Sequence, residues 1–139
     1  MSRLPERQHA VKFQARGETC TLAGDALTEL IIPTIRLRAL FTTAGEAIAR
    51  PAGQTLARWL VLEAVAQAPR TVAQVARTMG LTRQSVQRVA DLLERDGLTA
   101  YAENPDHRRA QPVRLTPHGL QALRTIQQAQ RVWADAVAR

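Results

Sequence analysis

The chain has 139 residues and a net charge of +7, with 45% hydrophobic and 22% charged residues. This length fits one domain of roughly 100–150 residues, which excludes a catalytic domain joined to a separate binding domain. The composition is that of a globular protein with a buried core. Because so short a chain has a high surface-to-volume ratio, dimerisation would help to stabilise it.

Three features of the sequence bear on where the protein works. No apolar run approaches the roughly 18 residues of a membrane helix, so we expect no membrane partner. Residues 1–7 are charged and contain no apolar stretch, which is unlike a signal peptide. The single cysteine, Cys20, excludes an internal disulfide framework and a CxxC metal site. We therefore expect a cytoplasmic protein without cofactors.

The positive charge is unevenly distributed along the chain. Residues 64–90 carry four arginines and no acid, and residues 107–139 carry six arginines and one acid. An acidic stretch, residues 91–106, separates these two basic blocks. The blocks are either a solvated surface or two parts of one face that meets a polyanion.

The N-terminal half begins with a polar arm at residues 1–23, followed by a dimerisation helix and loop at residues 24–53. Within the latter, residues 25–49 are predicted to be helical, with Asp25 as N-cap. Apolar residues cover more than one stripe of this helix, which predicts burial against another copy of the chain. Pro33 should either kink the helix or mark its first turn.

Residues 54–115 carry the pattern of a helix-turn-helix followed by a β-hairpin. A helix capped by Thr55 comes first, and a capping box of Thr71 and Gln74 starts the next one. Gly80 is placed to end that helix in a left-handed conformation, and Thr82 can cap the helix after it. Two short helices separated by such a turn form a helix-turn-helix.

A β-hairpin comes directly after the helix-turn-helix, and a last helix comes after the hairpin. Leu98 to Glu103 alternates apolar and polar residues and is predicted to be a strand. A second strand contains Val113 and Leu115, and Pro112 places it at a sheet edge because proline donates no ladder hydrogen bond. Thr116 and Pro117 start the last helix, which makes residues 116–139 a C-terminal dimerisation helix. The predicted fold is mainly α with a small β-hairpin wing: a winged helix-turn-helix with N- and C-terminal dimerisation helices.

The second helix of such a motif enters the major groove of DNA with its N-terminal residues at the base edges. Arginine can fork onto guanine and glutamine onto adenine. Arginine and glutamine are also ordinary exposed helix formers, which is the alternative interpretation. The predicted base-reading residues are Arg83, Gln84, Ser85, Gln87 and Arg88.

The hairpin tip carries a second group of candidates, because arginine on a thin ribbon can enter the minor groove. This wing group consists of Asp106, His107, Arg108 and Arg109. The alternative is a solvated turn. Thr71, Arg77 and Thr82 are candidate phosphate ligands, which would position the protein without reading sequence.

Nothing in the sequence indicates an enzyme. His9, His107 and His118 are too scattered for metal-ligand spacing, and no P-loop, GxGxxG, HExxH or GxSxG motif occurs. Tyr101 and the two tryptophans are interpreted as packing residues.

Residues 56–120 resemble the multiple-antibiotic-resistance regulator (MarR) family of winged-helix repressors. The most specific part is an acidic and arginine-bearing wing tip followed by V-x-L-T-x-x-G, here Val113, Leu115, Thr116 and Gly119. The resemblance implies a homodimer that binds a palindromic double-stranded DNA operator through residues 82–88 and the wing tip. It also implies a small aromatic or anionic effector whose binding relieves repression.

Two alternatives remain open at this stage. Some members of the family sense hydroperoxides through a cysteine, so Cys20 could make the chain a redox-sensing regulator, although no second cysteine can resolve an oxidised thiol. A winged helix can also serve as a protein-interaction module. An acidic or apolar wing would favour that function, and the arginine pair in the wing argues against it.

Overall fold

A computed structural model describes residues 21–103 and 110–139. The chain divides into two units, Met1–Arg36 and Leu37–Arg139. The helices and strands are α1 (Leu22–Ala49), a short 3-10 helix (Arg50–Ala52), α2 (Leu56–Ala64), β1 (Arg70–Thr71), α3 (Val72–Met79), α4 (Arg83–Arg95), β2 (Thr99–Tyr101), β3 (Pro112–Leu115) and α5 (Pro117–Val137). This confirms the prediction of a mainly α fold with a small wing.

Helix α1 begins earlier than its sequence pattern indicates. Its first turn is at Leu22, and the hydroxyl of Thr21 accepts a hydrogen bond from Gly24 N at 3.2 Å. The prediction that Asp25 is the N-cap is therefore wrong, because Asp25 already lies in the helical first turn. Pro33 lies inside the helix, so it does not mark the first turn either.

The wing contains a third strand that the sequence analysis missed. The antiparallel sheet has the order β1-β3-β2, with Arg70 opposite Val113 and Tyr101 also opposite Val113 on the other side. The prediction that Pro112 marks an edge strand is wrong, because β3 is central. Pro112 is tolerated there because it is the first residue of β3. Its carbonyl still accepts a hydrogen bond from Ala102 N at 2.8 Å.

The core lies in the unit Leu37–Arg139, where α2, α3, α4 and α5 meet the sheet. The largest fully buried side chains include Leu62 of α2, Leu93 of α4, and Leu123 and Ile126 of α5. Burying one such side chain stabilises the fold by roughly 1.5–3 kcal/mol. An ion pair between Arg58 of α2 and Asp96 joins α2 to the end of α4.

The turn between α3 and α4 forms as predicted. Thr71 and Gln74 make both hydrogen bonds of the capping box. Gly80 ends α3 with φ at 64°, a left-handed conformation that glycine adopts without steric cost. The hydroxyl of Thr82 then accepts from Ser85 N and starts α4. These local signals set both the length of the turn and the first residue of α4.

The V-x-L-T-x-x-G motif joins the wing to α5 through a close backbone approach. The Thr116 hydroxyl donates toward Gly97 O at 2.7 Å and Leu98 O at 3.0 Å, and it accepts from Gly119 N at 3.0 Å. A Cβ at position 119 would lie 1.9 Å from Leu98 O, so only glycine fits. The motif therefore holds the start of α5 against the chain that enters β2.

We expect Gly119→Ala to destabilise the protein although alanine favours helices by roughly 1 kcal/mol. The new methyl group must displace the backbone at Leu98, and such overpacking costs about 1–3 kcal/mol. Urea unfolding followed by circular dichroism measures the effect. Gln121→Ala, on an exposed position of the same helix, is the control and should leave the midpoint unchanged. Equal midpoints for both variants would contradict the role given to the glycine.

Candidate nucleic-acid interface

Helix α4 has one buried and one exposed face. Val86, Ala90 and Leu93 are buried against the core. Four of the five predicted base-reading residues are exposed: Gln84, Gln87 and Arg88 point away from the buried stripe, and Arg83 is the first residue of the helix. The first turn carries no acid, so an approaching phosphate meets positive charge and the positive end of the helix dipole.

Ser85, the fifth predicted base-reading residue, is half-buried and engaged within the turn. Its hydroxyl donates to Thr82 O at 2.9 Å and accepts from the Thr82 hydroxyl at 3.0 Å. The structure thus places Ser85 beside the exposed face, where its hydroxyl supports the N-cap. A contact from Ser85 to a base would compete with these two hydrogen bonds.

The predicted phosphate ligands lie at three places in the motif: Thr71 at the start of α3, Arg77 in its last turn and Thr82 at the start of α4. Thr82 is exposed, whereas Thr71 is half-buried and its hydroxyl is used in the capping box. Arg77 is exposed in the last turn of α3. With Arg70 it lines a shallow groove of about 310 Å³. The sequence analysis did not assign Arg70 to the site. The sequence feature that could have indicated it is its position in the block from residue 64 to 90, which contains no acid.

A wider groove of about 580 Å³ lies where the starts of α3 and α4 face the wing strands. It brings together side chains that are far apart in sequence. Its lining residues are Thr71, Val72, Ala73, Arg83, Gln84, Gln87, Tyr101, Ala110 and Gln111. Thr71, Arg83, Gln84 and Gln87 of the predicted site are therefore neighbours on one surface.

Tyr101 connects the wing to α4 through a polar network that the sequence analysis missed. Its hydroxyl lies 2.6 Å from Asp91 Oδ1, and Gln87 Nε2 lies 2.7 Å from the hydroxyl and 2.8 Å from Asp91 Oδ1. Tyr101 thus has a polar role besides contacting the core as a half-buried side chain. The four-residue spacing of Gln87 and Asp91 on one helix was the only sequence signal for this contact.

Several predicted residues lie outside the described residues. They are the wing group, Asp106, His107, Arg108 and Arg109, and the thiol candidate Cys20. The described strands nevertheless lead the chain into and out of that tip, since β2 and β3 pair from Thr99–Leu115 to Tyr101–Val113. The roles given to the tip remain predictions.

The described parts of the chain offer neither a metal site nor a membrane span. Residues 21–103 and 110–139 contain no group of three or more His, Cys, Asp and Glu side chains arranged to hold a metal ion. Across these same two ranges, no helix combines the length and the apolar character that crossing a membrane requires.

Comparison with known proteins identifies the family. A model of the MarR family matches residues 52–110. An uncharacterized protein of Mycobacterium tuberculosis is 40% identical over 102 residues, which cover 73% of this chain and 71% of that protein. The chain belongs to the MarR family, as the wing motif predicted, and it has the fold of DNA-binding transcriptional regulators.

Solved structures support the same fold. The transcriptional regulator BldR from Sulfolobus solfataricus superposes with a TM-score of 0.76 at 18% identity, covering 85% of each chain. MosR of M. tuberculosis, solved in complex with DNA, matches with a TM-score of 0.65 at 26% identity over 77% of this chain and 79% of its own. CouR from Rhodococcus jostii, bound to p-coumaroyl-CoA, matches with a TM-score of 0.64 at 22% identity over 80% of this chain and 76% of its own.

The surroundings of the Tyr101 hydroxyl make it a weaker acid than an ordinary phenol. Burial, together with the hydrogen bond to Asp91, raises the pKa of Tyr101 far above its ordinary value of 10.0. The unfolded chain therefore releases this proton above pH ~10 while the folded chain keeps it. Since the folded state then binds more protons, the stabilisation from this group is fully present below pH ~10, and the free energy of unfolding falls as the pH rises above that value.

We expect the phenolate absorbance of the native protein to be missing at a pH at which the urea-unfolded protein shows it in full. Tyr101 is the single tyrosine, so an ultraviolet pH titration reports it alone. Asp91→Asn should lower the native transition because the carboxylate that favours the protonated phenol is lost. A native transition at the same pH as that of the unfolded chain would contradict the network.

Proposed function

We propose that the chain is a sequence-specific double-stranded DNA-binding transcriptional regulator, a ligand-relieved repressor that acts as a homodimer on a palindromic operator. The observation that supports this best is the exposed face of α4. Its rotation is set by the buried stripe of Val86, Ala90 and Leu93, so Gln84, Gln87 and Arg88 project into solvent, and Arg83 is exposed at the start of the same helix. These are the residue types that recognise guanine and adenine in the major groove.

The proposed homodimer follows from the exposed apolar side chains of α1. Monomers rarely expose so much apolar surface on one element. The nine large ones are Leu22, Leu27, Leu30, Ile31, Ile32, Ile35, Leu37, Leu40 and Phe41. A dimer that places two α4 helices one DNA turn apart, ~34–36 Å, would fit successive major grooves.

We propose a separate function for each segment of the chain. Residues 1–23 are an arm, residues 24–53 and 116–139 dimerise, and residues 54–115 bind DNA through α4, the wing tip and the phosphate ligands Thr71, Arg77 and Thr82. A protein that binds an operator would act in the cytoplasm, which is the location we propose. The complex of CouR with p-coumaroyl-CoA supports the proposal that a small aromatic or anionic effector acts on this chain too. Such a ligand shifts operator binding only by binding one dimer conformation better than the other.

Selection of bound fragments from the source genome tests the proposal most directly. We expect recovered fragments to share a pseudo-palindromic sequence with half-sites about one helical turn apart, near roughly 10 base pairs. Recovery of fragments without a common sequence would contradict specific readout. A common sequence without symmetry would contradict the dimer.

We expect Gln84→Ala or Arg88→Ala to weaken operator binding by about 1–3 kcal/mol and to change the preferred base at particular positions. Gel-shift titration against the operator and its single-base variants measures both effects. Gln67→Ala is the control, because this exposed glutamine between α2 and β1 lies outside the proposed DNA contacts and the dimerisation segments. If every sequence weakens equally, these side chains contact phosphates rather than bases.

The wing prediction rests on the sequence of the tip. Arg108→Ala combined with Arg109→Ala should weaken binding to all sequences and flatten the salt dependence, because fewer counterions are released. Affinity measured over a range of salt concentrations gives the slope. Arg139→Ala, outside the proposed DNA contacts, serves as the control once size-exclusion chromatography shows that it has the oligomeric state of the wild type. An affinity and slope equal to those of the wild type would remove the wing from the mechanism.

A further inference from the structure

The amide group of Gln87 is held on one side only. Its Nε2 contacts both Asp91 Oδ1 and the Tyr101 hydroxyl, at 2.8 and 2.7 Å. Within residues 21–103 and 110–139, no hydrogen bond reaches the carbonyl oxygen of this amide, although the side chain is exposed and lines the groove beside the wing.

The protons of this network can be assigned from its chemistry. An ionised carboxylate only accepts hydrogen bonds, so the phenol donates its single proton to Asp91 Oδ1 at 2.6 Å. The phenolic oxygen then accepts from Gln87, which means that the amide group facing both partners is the NH2 group and not the carbonyl. If the amide were turned over, its oxygen would face the carboxylate and both contacts would be lost.

We propose that Gln87 reads the operator through its carbonyl oxygen, and that Tyr101 and Asp91 are positioning residues that set this preference. The inference rests on the proposed DNA-binding function and deepens it. Turning the amide nitrogen toward a base edge would give up a hydrogen bond to a charged acceptor, the stronger kind of hydrogen bond. Tyr101 lies on β2 in the three-stranded sheet, so a strand of the wing determines what a helix residue can recognise.

Restricting Gln87 to its carbonyl oxygen changes which bases it can recognise. An unrestrained glutamine binds adenine with both halves of its amide, accepting from N6 and donating to N7. A glutamine that offers only its oxygen accepts equally well from adenine N6 or cytosine N4. Guanine and thymine present acceptors, O6 and O4, at the corresponding place. We therefore expect Gln87 to favour adenine or cytosine without distinguishing them, and to disfavour guanine and thymine.

Gln84 provides an internal comparison on the same helix. It is exposed, and its side chain makes no hydrogen bond to the described parts of the chain. Both halves of its amide are therefore available, and it should select adenine alone. Among the described contacts, the two glutamines differ in that Gln87 is held by the wing strand and Gln84 is not.

The test is selection from a randomised operator library with the full-length chain and three variants: Gln87→Ala, Gln84→Ala, and Asp91→Ala combined with Tyr101→Phe. Circular dichroism and thermal melting of each variant check that it is folded. The wild type should discriminate roughly 5- to 150-fold between adenine or cytosine and the other two bases at one position of each half-site. Gln87→Ala should abolish this preference there, whereas Gln84→Ala should change a different position.

The double variant is the decisive one. It releases the amide of Gln87, so adenine should now be selected over cytosine at the same position, a change that mere loss of stability would not produce. An unchanged adenine-to-cytosine ratio, or a wild-type preference for guanine or thymine at the position that Gln87→Ala alters, would overturn this inference while leaving sequence-specific binding intact. If the wild-type chain selects no DNA, the proposed function fails and this inference fails with it.

Discussion

The burial of one stripe of α4 is the constraint on which the rest of the proposed interface depends. Val86 and Leu93 are 1% and 0% exposed, so α4 cannot rotate about its axis without bringing apolar surface into water. The side chains opposite this stripe are consequently presented to solvent in a fixed order. The ion pair between Arg58 and Asp96 also connects the C-terminal end of α4 to α2. This contact lies away from the face that would meet DNA.

Backbone geometry helps to attach the wing to this framework, in addition to the buried Val113 side chain. Gly119 lets the start of α5 approach Leu98 O, and the Thr116 hydroxyl bridges the two segments. At the other side of the sheet, β1 pairs with β3 just before α3 begins. The strands that carry the tip are thereby joined both to the first helix of the helix-turn-helix and to the last helix of the chain.

The network of Gln87, Asp91 and Tyr101 shows that a residue's chemistry can depend on an element remote in sequence. In the helix alone, Gln87 and Gln84 are equivalent exposed glutamines. Tyr101, fourteen positions beyond Gln87, makes them different because only one of them meets its hydroxyl. A tyrosine hydroxyl with an ordinary pKa near 10 is already protonated at neutral pH, and the raised pKa of Tyr101 extends the contact into the alkaline range.

The sequence by itself determined the local features, because each depends on residues within a few positions. The capping box at Thr71, the left-handed Gly80, the N-cap at Thr82, and the division of α4 into buried and exposed faces all follow from short-range hydrogen bonding and helical periodicity. Features that depend on distant segments were decided only by the tertiary structure. Strand β1 has two residues, too few to show alternation, so the central position of Pro112 could not be read from β3 alone. The hydrogen-bond partners of Tyr101 and the groove that Arg70 lines could not be predicted from the sequence either. Contacts between distant segments leave no periodic signal in the chain.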